Sequence, residues 1–113
     1  MTEFSRAAAP TTLINTFTTT PAMQDRVAEF LVETAENQVS GLPGFIDATV
    51  HKSVDGTRVI NYVRWESEGH WLAMLADPQT ALHVAGITKL ASADFQRYEA
   101  VATIGPRLDT THN

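Results

Sequence analysis

The run Val59 to Ser67, Val-Ile-Asn-Tyr-Val-Arg-Trp-Glu-Ser, constrains the fold of this chain more than any other stretch. Val, Ile, Tyr and Trp favour the pleated, half-buried surface of a strand, and turn residues bound the run. Side chains alternate across a strand, so Val59, Asn61, Val63 and Trp65 share one face while Ile60 and Tyr62 point the other way. Both faces carry apolar groups, so both need cover. The first face also carries an amide and an indole N–H between apolar neighbours. Burying such groups without hydrogen-bond partners costs on the order of 1–3 kcal/mol each. A bound small molecule is one source of partners, which makes this face a candidate pocket wall.

The flanking segments predict how that strand is covered. Residues 1–10 are small and polar and read as a flexible arm. Thr11 to Thr19 is a first strand with Leu13, Asn15 and Phe17 on one face. Thr20-Pro21 opens a helix running to about Ser40, with Met23, Val27, Phe30, Leu31 and Gln38 at helical spacing. Its glutamates read as a solvated face. Leu42-Pro43-Gly44 turns into a second strand, Phe45 to Ser53, and Asp55-Gly56 is the hairpin dipeptide leading to the third. Ser67 caps a helix beginning at Glu68. Asp77-Pro78 interrupts it and starts a second piece reaching about Leu90. Asp94 to Ile104 is a last strand, Gly105-Pro106 ends it, and residues 106–113 form a polar tail.

The order is β-α-β-β-α-β, an α+β ferredoxin-like plan in one domain over residues 11–105. The first and third strands are expected to be central neighbours, running parallel, with Asn15 beside Asn61. Ile14, Ile60 and Tyr62 on the opposite face predict sheet-to-sheet packing in a two-fold dimer.

Bulk composition narrows the function classes. A net charge of -5, with no Lys/Arg cluster, argues against nucleic acid or an anionic membrane as partner. The absence of cysteine removes disulfides, thiolate nucleophiles and Cys-ligated metals, and it suits a cytoplasmic setting. No apolar run approaches the ~20 residues of a membrane span. No His or carboxylate pair has the spacing of a metal site. His51 is expected on the outward phase of its strand, and His70 at the surface. His83, among Leu82, Val84 and Ile87, reads either as a core histidine or as a pocket residue.

Leu42-Pro43-Gly44-Phe45, His51 with Asp55-Gly56-Thr57, Asn61-Tyr62 and Trp65-Glu66-Ser67-Glu68 together resemble the antibiotic biosynthesis monooxygenase (ABM) family. The resemblance spans roughly Leu13 to Ile104. It implies a homodimeric α+β barrel and a cofactor-independent monooxygenase that uses O2 to oxidise a polycyclic phenol or anthrone to a quinone, without metal, flavin or haem. Asn15, Asn61 and Trp65 match the family's first-strand Asn and third-strand Asn and Trp, which implies catalytic roles for them. Phe17, Trp71, Leu72 and His83 are then candidates to touch the small aromatic substrate. Trp71 stands where a quinone-forming member carries a tyrosine implicated in its chemistry, and an indole cannot serve as a phenol acid or base.

Two alternatives share the fold. Haem-degrading relatives use a first-strand Asn, a Trp and a helical His. Asn15 and His83 fall near matching places, but that Trp would fall near Met74. A non-oxidative polyketide cyclase or a metabolite-binding dimer would use the same pocket without consuming oxygen.

Overall fold

The computed structural model describes residues 10–107, so all but the last residue of the arm expected over 1–10, and all but the first two of the tail expected over 106–113, lie outside it. Four strands and three helices follow in the order β1 (Thr11–Thr18), α1 (Gln24–Asn37), β2 (Phe45–Lys52), β3 (Arg58–Trp65), α2 (Glu68–Ala76), α3 (Pro78–Thr88) and β4 (Ser92–Tyr98). The strands form one sheet in the order β2-β3-β1-β4. The helices cover one of its faces. Among the described residues no helix is long and apolar enough to cross a membrane.

β1 and β3 are the central neighbours, but they run antiparallel rather than parallel. Chain direction explains the correction. α1 carries the chain back so that β2 starts in the direction of β1. The hairpin at Asp55-Gly56 then reverses it, so β3 opposes both. Gly56 takes a φ of +83°, a left-handed conformation that favours glycine in such turns.

Other boundaries differ from expectation for local reasons. Pro21 sits in a turn closed by Met23 N–H donating to Thr20 O at 2.9 Å, and regular helix begins only at Gln24. At the far end α1 gives way at Gln38 to a 3₁₀ turn over Val39–Gly41. Ser67 and Asp77 cap α2 and α3 as their chemistry dictates. The Ser67 hydroxyl accepts from His70 N at 3.2 Å, and Asp77 Oδ1 accepts from Gln79 N at 2.9 Å. β4 stops at Tyr98 instead of Ile104. Tyr98 pairs with Thr12, and two steps further the partner strand reaches Pro10, which has no N–H to offer.

The helix-facing side of the sheet is built in rows. Phe17 and Val59 pair at one end and pack with Val27, Leu31 and Ile87. Leu13 and Val63 pair nearer the other end, beside Trp65. These buried clusters are separate, and the row between them is Asn15 opposite Asn61, flanked by Phe95 on β4 and Val50 on β2. A pair of amides therefore interrupts an otherwise apolar sheet face. Gly86 lets α3 approach α1, since a Cβ there would meet the Phe30 ring at 2.7 Å.

Candidate active site

The gap between the two apolar clusters holds a cleft with two adjoining chambers that share part of their lining. The larger chamber, of about 400 Å³, has Trp65, Trp71, Leu13 and Val63 in its wall. The smaller chamber, of about 120 Å³, lies against Phe17, Phe30, Gln38, His83 and Ile87. Asn15 and Asn61 line both chambers, as do Met74, Thr80 and Phe95. The amide row thus stands in the wall that the two chambers share.

The unmet hydrogen-bonding capacity of the protein collects here. Among the described residues, the buried side-chain atoms without a partner are Asn15 Oδ1, Asn61 Oδ1, Trp65 Nε1, His83 Nδ1, and Gln38 Nε2 and Oε1. Every one belongs to a residue lining this cleft. Buried polar groups are nearly always satisfied, so such a cluster needs an occupant that supplies partners. Water can meet these atoms at the polar spots of an otherwise apolar cleft of this size, and a ligand that replaces water must match the same atoms.

The candidate residues fall as follows. Asn15, Asn61 and Trp65 meet at the cleft, with Trp65 fully buried and its ring edge-to-face with Phe45 at 5.7 Å. Phe17 and His83 line the smaller chamber and Trp71 the larger one. Leu72 lies off the cleft and is half exposed. One residue along a helix is a rotation of about 100°, so the face that carries Trp71 continues at Met74 and Leu75 and leaves Leu72 outside. The lining also includes Gln38, Met74, Leu75 and Thr80, which the sequence reading does not single out as site residues. The helical spacing of Gln38 with Phe30, Leu31 and Thr34 is the available signal, as an amide on an otherwise core-facing stripe.

Charge is confined to the rim. Arg97 lines the larger chamber, lies over the Trp71 ring at 5.4 Å and donates to Glu68 at 2.6 Å. Arg64 and Asp47 pair in a two-bond fork at 2.9 and 2.6 Å. They sit on the opposite phase of β3 from Trp65, so the fork lies away from the cleft. That hydrogen-bonded fork holds the Asp47 carboxyl below its ordinary value and raises Arg64. Among the described residues no group of three His, Cys, Asp or Glu could hold a metal ion.

Comparisons with known proteins converge on one group. The chain is 42% identical over 72 residues to the tetracenomycin-F1 monooxygenase of Streptomyces glaucescens, which covers 64% of each chain. It thus spans slightly less than two-thirds of the length of that relative. The monooxygenase from the ActVA-Orf6 gene of Streptomyces coelicolor, solved with nanaomycin D, superposes with a TM-score of 0.80. It is 27% identical, over 91% of this chain and 100% of that one. SnoaB from Streptomyces nogalater, described as a cofactor-independent oxygenase, shares the fold with a TM-score of 0.76 at 22% identity, over 88% of this chain and 100% of its own. The profile of the antibiotic biosynthesis monooxygenase family matches residues 10–85, and the chain belongs to that family.

Proposed function

We propose that this protein is a cofactor-independent monooxygenase that oxidises a polycyclic phenol or anthrone of polyketide type to a quinone. The observation that carries the reading is the collection of unpartnered polar atoms in one otherwise apolar cleft. The similarity to a tetracenomycin-F1 monooxygenase, and to a fold neighbour holding nanaomycin D, supports the same reaction class.

The chemistry asks little of the protein beyond placement. Ground-state O2 is a triplet and reacts slowly with closed-shell molecules. The enolate of an anthrone avoids this by giving O2 one electron, and the two radicals then combine at the ring carbon opposite the enolate oxygen. The hydroperoxide so formed loses water. One oxygen atom stays as the new carbonyl and the other leaves as water, so the substrate supplies all the electrons. The larger chamber would hold the ring system between Trp65 and Trp71. The Nδ2 groups of Asn15 and Asn61 would donate to the oxyanion, their Oδ1 atoms would accept from water or a ligand hydroxyl, and the Trp65 indole would donate to oxygen on the ring or in the peroxide. Apolar walls keep bulk water from quenching the anion.

A second copy of the chain is proposed to close the barrel. Ile14, Thr16, Ile60 and Tyr62, on the sheet face without helices, stay partly exposed within one chain. Sedimentation should give a dimer mass. A monomer at micromolar concentration would remove this part.

The decisive test of the activity is oxygen consumption by metal-stripped protein presented with anthrones and naphthols. Uptake should match quinone formed mole for mole and persist in chelator. Ligand binding without uptake would replace the proposal with a cyclase or a binding protein.

A further inference from the structure

The cleft supplies walls for a ring and donors for an anion, but making the anion also takes a base. Triplet O2 reacts with the phenolate or enolate and not with the neutral molecule, so a proton must leave first. The amides of Asn15, Asn61 and Gln38 and the indoles of Trp65 and Trp71 are not basic. The Thr80 hydroxyl already donates to Met74 O at 2.6 Å. Among the described residues that line the two chambers, only His83 and Arg97 carry a titratable side chain. Arg97 stays protonated and can only donate. Its ion-pair partner Glu68 lies at the rim and lines neither chamber. That leaves His83, and histidine is the side chain most often used to move protons near neutral pH.

Local rules hold His83 at the cleft. Asp77 caps α3 and Pro78 opens it, which sets the phase of the helix. Thr80, His83, Val84 and Ile87 then fall at i, i+3, i+4 and i+7 and line the smaller chamber as one face. Thr80 and Val84, on either side of His83, also line the larger chamber, so the imidazole stands beside the shared wall. His83 Nδ1 is buried and has no hydrogen-bond partner. A histidine with a purely structural role normally has its buried nitrogens bonded. Here no bond fixes this nitrogen, so the tautomer that leaves its lone pair free is open to the ring. The residue as a whole is partly exposed, which gives a proton a short route to solvent.

We propose that His83 is the catalytic base of the reaction, the group that turns the bound phenol or anthrone into its anion. The inference rests on the function proposed above and adds its proton-transfer step. The O–H bond of a phenol, or a C–H bond of the anthrone methylene, breaks. Its electron pair stays on the substrate as phenolate or enolate, and the proton passes to the imidazole. Asn15 and Asn61 steady the negative oxygen while O2 adds. A proton returns to the peroxide anion before water leaves, so the step consumes none and needs no oxidant or reductant of its own.

The test reads proton removal without oxygen. Anthrone is held with the protein in deuterium oxide under nitrogen, and deuterium gained at its methylene carbon is followed by mass spectrometry. Bound ligand is measured in parallel by quenching of tryptophan fluorescence, because Trp65 and Trp71 line the larger chamber. Wild-type protein should exchange the methylene well above the rate in buffer alone. His83→Asn, which has no basic nitrogen, should lower exchange per bound ligand by about 10²–10⁴, the usual share of general base catalysis, and leave binding within about threefold. In His83→Ala, added imidazole should restore exchange by about tenfold or more, a response that a structural histidine would not give. His83→Ala and its rescue carry the comparison if His83→Asn fails to fold. No acceleration by wild-type protein, or an unchanged rate per bound ligand in a folded variant, overturns the base even if oxygen uptake stands. A loss that imidazole does not restore marks His83 as structural and overturns it as well. Exchange that depends on His83, without any oxygen uptake, keeps the base and overturns the oxygenase reading instead.

Discussion

Two ends of the same sheet treat a buried amide in opposite ways. At the hairpin end, Gln24 is 8% exposed and its side-chain nitrogen donates to Ser53 O at 2.9 Å and Arg58 O at 3.0 Å. The loop beneath it is satisfied as well. Ser53 Oγ accepts from Arg58 N at 2.9 Å, and Asp55 Oδ1 accepts from three donors. In the cleft, Asn15, Asn61 and Gln38 have buried amide atoms with no partner at all. Arg58 and Asn61 are three residues apart on β3, about 10 Å at the usual strand rise. Within that span the chain passes from polar groups that hold the fold to polar groups left open. An amide whose partners are internal contributes to stability, and one without partners costs stability until something binds. Substitutions at the two ends should therefore separate folding from function.

The largest expected effect is at Asn61. Asn61→Ala should lower turnover by about 10²–10³, the usual loss for one oxyanion donor. Its melting temperature should hold or rise, because the truncation removes a buried group that had no partner. Trp65→Phe should lower turnover by about tenfold or more through loss of the indole N–H. It should also cost roughly 1–3 kcal/mol of stability, as Trp65 is fully buried and the smaller ring leaves a void. Near-full turnover in both variants would sink the assigned roles. Gln24→Ala should reverse the pattern, with a loss of about 1–2 kcal/mol in denaturant unfolding and kcat/KM within about twofold of wild type. If Gln24→Ala abolished turnover while leaving stability intact, the division between the two ends would fail.

Legibility in the sequence follows the same division. Local signals are plain. The period-2 run of β3, the Asp55-Gly56 turn and the caps at Ser67 and Asp77 depend on residues close in sequence, and each forms as its chemistry requires. That Asn15 and Asn61 share a sheet face is also readable, since phase within a strand needs no knowledge of its neighbours. Direction and length are less so. The antiparallel course of β1 and β3 depends on how α1 returns the chain, and the early end of β4 depends on Pro10, far away in the sequence. The lining contributed by helices is half visible. Trp71 announces a face by its size, whereas Leu72 is just as apolar and lies off it. Gln38 falls on the core-facing stripe of α1 by its spacing, but its place beside His83 is seen only once α3 brings the histidine to the same chamber.

The smallest expected effect sharpens the contrast through pH. Asp55 is fully exposed, yet its carboxyl is lowered to about 2. The Thr57 hydroxyl is the main cause, at 2.7 Å, followed by the Ser53 hydroxyl at 2.8 Å and the Thr57 backbone N–H at 3.0 Å. An unfolded Asp titrates near ~3.9, so folding favours the ionised form. The resulting stabilisation is whole above the unfolded value and drains away as pH falls from about 4 to about 2. Asp55→Asn keeps the shape of the side chain and removes the titration. The gap in melting temperature between wild type and Asp55→Asn should be constant from neutral pH down to about 5, narrow below about 4 and close near about 2. Asp47, lowered by Arg64, titrates in both proteins alike and cancels in the difference. A gap that stayed open at pH of about 2 would mean that the substitution disrupts the turn sterically, not through the missing charge. Turnover at neutral pH should not distinguish the two proteins, because none of the groups bonded to Asp55 lines the cleft.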